Sequence, residues 1–309
     1  MNNEQAASAQ KLDKAITSSN HIIRDLISLL KLKVLIANVF PVFTGFWLAV
    51  YFTGGSFAAQ LDTFLLTVIG STLIIAGALL FNNWYEVDLD KEMKRTQTRP
   101  TVTGNFSLQA VFKMAAASTG IGFILMLFTT LEAALYAVLG WFVYVVLYTL
   151  WSKRKYTLNT VIGSLSGAFT PLIGWAAIDS AFHIVPMVLF LVLFIWQIPH
   201  TFAIAIKRHD EYKAAGVPML PVVHGFAFTK RQIVVYVACL LPLPLFLATF
   251  GTTFIVLATL LNAGFLYLAI RGFFTKDNRK WAQTIFIYSL SYLFVLFLIM
   301  IIATLPVFT

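Results

Sequence analysis

Apolar residues dominate nine stretches of the chain, at about 32–53, 62–85, 108–129, 131–150, 158–178, 183–206, 232–250, 252–270 and 282–304. Each is close to the ~20 residues that a helix needs to cross the hydrocarbon core of a bilayer. The connections between them are short and polar. The pattern predicts an all-α, polytopic membrane protein, with nine transmembrane helices in one bundle. Two parts are expected, a polar tail over 1–30 and a membrane domain over 31–309. The tail carries Lys11, Lys14 and Arg24 but no signal-type apolar core or cleavage site, so it is read as cytoplasmic.

Composition narrows the class further. The chain is 59% hydrophobic and only 11% charged, against about 25% charged in a soluble domain, and its length leaves little room for a separate soluble domain beside so many spans. The single cysteine, Cys239, cannot form an internal disulfide and is expected to serve packing. A net charge of +9 would suggest nucleic acid in a soluble protein. Here the bases fall in the tail with Lys31 and Lys33 and in alternate connections, with Lys113 just inside the third stretch, whereas Asp62, Glu132 and Asp179 mark the opposite connections. That asymmetry predicts a cytoplasmic amino terminus, an external carboxyl terminus and no nucleic-acid partner. Most bases are then orientation anchors near anionic headgroups.

Two connections depart from this plain pattern. Asn82, Glu86 and Asp90 are spaced i, i+4, i+8 at the end of the second stretch, so a continuing helix would line their oxygens along one face. Such a row suits a hard divalent cation, and Lys94, Arg95 and Arg99 behind it suit phosphates. A solvated helix end with internal ion pairs is the bland alternative. Against it, Asn82 and Asn83 sit in or at the edge of an apolar span, where polar groups are costly and face a cavity. The second cluster, Asp210 and Glu211 among Lys207, Arg208, His209 and Lys213, follows the sixth stretch. Acidic clusters four helices apart hint at two similar four-helix halves with a ninth helix added.

Other groups admit two readings. Pro199 bends the sixth helix and turns Gln197 and His200 inward; His200 is by default an interior hydrogen-bonded side chain, with haem ligation the alternative. Lys153, Arg154 and Lys155 are anchors by default, yet they share a membrane face with both acidic clusters and could neutralise a diphosphate. The small residues Gly163 to Ala168 make either a tight core helix or the wall of a wide pocket. An acidic rim, bases and an apolar bundle beneath are together what isoprenyl transfer needs. Metal ions and bases offset the charge of the leaving diphosphate, while a dry, aromatic cavity shelters the allylic cation.

At these residues the sequence resembles the UbiA superfamily of intramembrane prenyltransferases, and within it the branch that farnesylates protohaem IX. The resemblance rests on Asn82-Asn83-x-x-Glu86-x-Asp88-Leu89-Asp90 leading to Arg95-Thr96-x-x-Arg99-Pro100-Thr101. It continues with Tyr148-Thr149, Lys153-Arg154 and Thr157-x-Asn159, with Gly163 to Trp175, and with Trp196-Gln197-Ile198-Pro199-His200 through Asp210-Glu211-Tyr212 to Pro221. It implies that Asn82, Glu86, Asp90 and Asp210 hold Mg2+ on farnesyl diphosphate, that Arg95, Arg99, Lys153, Arg154 and Lys213 meet its phosphates, and that His200 and Arg208 lie toward haem B. The implied product is hydroxyethylfarnesyl haem (haem O), made at the cytoplasmic side of the cell membrane and passed to a downstream haem A synthase. Three positions depart from the pattern: Glu86 replaces aspartate, Ala214 follows Asp210 where a second aspartate is usual, and Leu32 replaces a proline. Within the class, a quinone precursor is the alternative acceptor. A transporter would place its ionisable groups at the bilayer midplane instead, and a haem-carrying assembly factor would leave the rim unexplained.

Overall fold

The computed structural model describes residues 21–305, so most of the expected tail lies outside the described residues. Among them there is helix and no strand. We number the long helices α1 (Leu32–Phe52), α2 (Leu61–Tyr85), α3 (Leu108–Leu127), α4 (Leu131–Ser152), α5 (Asn159–Ala176), α6 (Ile184–Lys207), α7 (Leu220–Cys239), α8 (Thr252–Arg271) and α9 (Asn278–Ala303). Among the described residues eight segments are long and apolar enough to cross a membrane, α5 not being one of them.

The reason is visible in α5 itself. It carries Ser164, Ser166 and Thr170, whose hydroxyls donate to the carbonyls of Thr160, Gly163 and Gly167 at 2.6–2.7 Å and so satisfy themselves within the helix. Those small side chains let α5 sit in the centre of the bundle. A Cβ at Gly174 would collide with the Val42 carbonyl and one at Gly45 with that of Pro171, so α1 and α5 touch backbone to backbone. Within the stretch Gly163 to Ala168 both readings have support, since Gly163 and Gly167 leave room only for the Tyr148 ring and the Gln197 side chain while Ser166 lines a cavity.

Two expectations about the elements are corrected. The seventh helix begins at Leu220 rather than near 232, with a break at Gly225 (φ 76°) and a tighter 3₁₀ continuation over Leu243–Phe250. Lys230 and Arg231 masked that extension in the sequence, yet Lys230 is buried because its ammonium donates to the Gly272 carbonyl at 2.6 Å. Cys239, expected to pack, is exposed on the outside of α7. Pro199 lies within an uninterrupted α6.

The chain alternates ends, so the α2–α3, α4–α5, α6–α7 and α8–α9 connections, which hold most of the charge, gather at one end of the bundle. Ion pairs between them, Glu86 with Lys153 and Asp210 with Arg279, tie that end together.

Candidate active site

α2 ends at Tyr85, and Glu86 leaves the helical conformation (φ −98°, ψ 18°) before a short helix resumes over Val87–Glu92. The expected continuous helix is therefore broken by one residue. The short helix keeps its rise, so Asn82, Glu86 and Asp90 all remain buried at the charged end. Asn83 turns elsewhere: its amide donates to the Leu29 carbonyl at 2.6 Å and holds the segment before α1 against α2.

Each of the three inward oxygens meets a cation of the chain. Lys31 Nζ donates to Asn82 Oδ1 at 2.6 Å, Lys153 pairs with Glu86, and Arg99 pairs with Asp90. Asn82 also donates to Thr149 Oγ1 at 3.3 Å. Outside this trio Arg154 grips Asp88 with both terminal nitrogens, at 2.7 and 2.8 Å, and lies 4.9 Å from the centre of the Tyr85 ring.

Electrostatics follow from burial and pairing. Burial and the nearby Arg99 hold the Lys31 ammonium well below its ordinary range. Burial also pushes Lys153 down, but the Glu86 carboxylate more than offsets this and raises it. The Arg154 hydrogen bond holds Asp88 below the usual carboxylate range, and Asp88 in turn raises Arg154.

α4 supplies the wall beneath this rim. From Val143 its hydrogen bonding widens to i→i−5, as in Lys153 N–H to the Tyr148 carbonyl at 3.0 Å. Residues four and five apart then stack, which brings Tyr144, Tyr148 and Lys153 into one column. The two rings are 5.6 Å apart, and Lys153 Nζ lies 5.5 Å from the Tyr148 centroid. Tyr148 lies flat on α5 because Gly163 has no side chain: a Cβ there would be 2.8 Å from its ring. Tyr144 also lines a cavity of about 110 Å³ within the bundle, with Asn38, Ser71, Trp141, Thr170 and Gln197. The Trp141 indole N–H is buried there without a protein acceptor.

The second cluster is arranged differently. Asp210 is exposed and paired with Arg279 and, at 3.0 Å, with His209, which together hold its carboxyl below the ordinary range. It does not join the three-oxygen cluster, and among the described residues no three His, Cys, Asp or Glu side chains converge on one point. Arg208 pairs with Glu211 at 2.6 Å, while Arg95 and Lys213 are exposed. The two connections still dock: Met93 and Leu89 pack with Val217, Met219 and Tyr212. His200 of α6 faces α9, its ring 5.0 Å from those of both Trp196, on which it stacks, and Phe286, to which it is tilted, with Nδ1 2.8 Å from Ser289 Oγ.

The oxygen set fits a hard divalent cation. Glu86 Oε1 is buried without a hydrogen-bond partner, and Asn82 and Asp90, four residues to either side of it, are buried as well. Sequence reasoning treated Lys31 as an anchor and missed its inward turn. Nothing in the local residue pattern marks that turn.

The UbiA prenyltransferase family matches residues 38–290. The chain is 58% identical over 283 residues to the protoheme IX farnesyltransferase of Oceanobacillus iheyensis, covering 91% of this chain and 90% of that one. It is 50% identical over 282 residues to protoheme IX farnesyltransferase 2 of Bacillus subtilis, covering 91% and 92%. Among solved structures, a digeranylgeranylglyceryl phosphate synthase superposes with a TM-score of 0.73 at 20% identity, over 91% of this chain and 98% of that one. A UbiA homologue from Archaeoglobus fulgidus bound to DMAPP and Mg2+ gives 0.64 at 14%, over 92% and 99%. The helical bundle fold is thus shared with these solved structures, and by the family match over residues 38–290 and the identity to these relatives the chain belongs to the UbiA prenyltransferase family.

Proposed function

We propose that the chain transfers the farnesyl group of farnesyl diphosphate to a vinyl group of protohaem IX and so makes hydroxyethylfarnesyl haem. The observation that carries this reading is the buried oxygen trio of Asn82, Glu86 and Asp90, joined to Lys153 and Arg99 directly above the Tyr148–Tyr144 column. The identity to protoheme IX farnesyltransferases along nearly the whole chain supports the choice of acceptor.

Asn82, Glu86 and Asp90 would hold Mg2+, with Asp210 approaching from the docked second connection. When bound, the metal supplies Lewis-acid relief of charge on the departing diphosphate. Arg99, Lys153 and Arg154 meet phosphate oxygens, with Arg95 and Lys213 at the outer edge. The aromatic faces of Tyr148, Tyr144 and Trp141 border the path of the chain, where they favour positive charge at the allylic carbon and exclude water. The bond from that carbon to the diphosphate oxygen breaks, and a bond to the terminal vinyl carbon forms. Water then adds to the inner vinyl carbon and loses a proton. His200 and Arg208 belong to the acceptor side. The positive charges of the rim support a reading in which the site faces the cytoplasm across the cell membrane, with nine crossings, an external carboxyl terminus and a product that would pass to a haem A synthase.

The test incubates the purified chain in detergent with haem B, farnesyl diphosphate and magnesium, and seeks farnesylated haem by mass spectrometry against a chelator control. A magnesium-dependent product of hydroxyethylfarnesyl mass supports the reading. Transfer to a quinone precursor but not to haem overturns the acceptor, and no transfer to either overturns the activity.

A further inference from the structure

Lys31 is the only non-glycine residue with positive φ among the described residues (φ 47°, ψ 52°). It stands at the break between the helical stretch 21–29 and α1. A left-handed backbone is unfavourable for a residue that carries a side chain, so the surroundings must hold it. They do so through Asn83, which fixes Leu29 two residues earlier, and through Asn82, which accepts from the Lys31 ammonium at 2.6 Å. An orientation anchor would point outward into headgroups, as exposed Lys33 does two residues on. Lys31 points inward.

The partner is what makes this lysine unusual. Lys153 and Arg99 face carboxylates, so their charges are balanced within each pair, whereas Lys31 faces a neutral amide. Three cations therefore face two carboxylates, and the surplus positive charge sits on Asn82, one of the three oxygen donors proposed for the metal. An uncompensated ammonium in a largely desolvated place is costly. A metal ion taking Asn82 Oδ1 would repel that ammonium from its present partner. A prenyl diphosphate carrying one divalent ion is still an anion, and its phosphate oxygens offer the Lys31 ammonium a charged acceptor in exchange for a neutral one.

Resting on the diphosphate reading above, we propose that Lys31 is a further diphosphate-binding residue, which yields the Asn82 oxygen to the metal and takes phosphate oxygens of the substrate. The helix break is then the device that brings a lysine from the head of α1 into the rim.

The experiment measures binding of inorganic diphosphate with magnesium to the full chain in detergent by calorimetry, alongside the unfolding midpoint without ligand. Lys31→Gln keeps a donor for Asn82 but lacks the charge, Lys31→Met lacks both, and Lys31→Arg keeps the charge. We expect Lys31→Gln and Lys31→Met to bind diphosphate about tenfold more weakly or worse, with Lys31→Arg staying close to the unmodified chain. Lys31→Gln binding diphosphate as tightly as the unmodified chain overturns the proposal. So does a lowered unfolding midpoint with unchanged affinity, which is the mark of a purely structural lysine. Failure of the unmodified chain to bind diphosphate strikes the proposed function instead, which keeps the two readings separable.

Discussion

Glu86 and Lys153, 67 residues apart in sequence, form an ion pair buried between the end of α2 and the end of α4, and the second oxygen of the Glu86 carboxylate is left without a partner. One group thus pins two helices together and still offers an acceptor to the site.

Removing one member of such a pair leaves a buried charge uncompensated. Lys153→Met is expected to destabilise the folded chain by about 3–5 kcal/mol, and the double variant Glu86→Gln/Lys153→Met to recover most of that loss. Denaturant unfolding in detergent measures both. Prenyl transfer should stay abolished in the double variant, since stability returns without the carboxylate. Additive destabilisation in the double variant would count against the pairing.

Asp90 and Asp210 should separate fold from function in different ways. Asp90→Ala strands buried Arg99, so it lowers both the unfolding midpoint and transfer. Asp210 is exposed, and an exposed pair contributes little to stability. Asp210→Asn should therefore unfold like the unmodified chain while losing at least about tenfold in transfer, the change of one pair of interactions at the metal. Full turnover in Asp210→Asn removes Asp210 from the ligand set.

Gly174→Ala places a methyl group against the Val42 carbonyl and 2.8 Å from the Phe46 nitrogen, atoms of backbone that cannot rotate away. Overpacking of this kind costs about 1–3 kcal/mol. Gly120→Ala, with nothing within 4 Å of the new carbon, is the control and should not lower the midpoint. Equal effects at both positions would argue against the α1–α5 contact.

The Asp88–Arg154 pair gives a pH signature of definite sign. Its carboxyl is held below the unfolded value of about 3.9, so the contribution is fully present above that value and disappears as pH falls through the lower folded one. Asp88 is well exposed, so the contribution is below about 1 kcal/mol and is screened by salt. The unfolding midpoints of the unmodified chain and Asp88→Asn should differ by a constant amount from neutral pH down to about 5 and converge below about 4. A difference that grows in acid contradicts the pairing.

The long helices were readable because apolar length is a local property, and the i, i+4, i+8 spacing of Asn82, Glu86 and Asp90 carries through the break because the Glu86 N–H still bonds the Asn82 carbonyl and the Asp90 N–H the Glu86 carbonyl. The partners were not readable. Lys31 meets Asn82 across 51 residues and Asp210 meets Arg279 across 69, and no local rule selects one lysine or arginine from the many at that end. The widening of α4 was equally hidden, since an apolar run does not reveal whether its bonds close at four residues or five. The start of α7 is hidden because a lysine and an arginine at 230 and 231 interrupt the apolar run, whereas a single carbonyl satisfies Lys230 inside.

The glycine contacts of α1 and α5 carry a further meaning for traffic. Backbone atoms meeting at Gly45 with Pro171 and at Gly174 with Val42 leave no side chain that could swing aside, so these two helices behave as one rigid plank. The α1–α5 seam therefore offers no route by which a lipid-borne molecule could reach the space beside Tyr144.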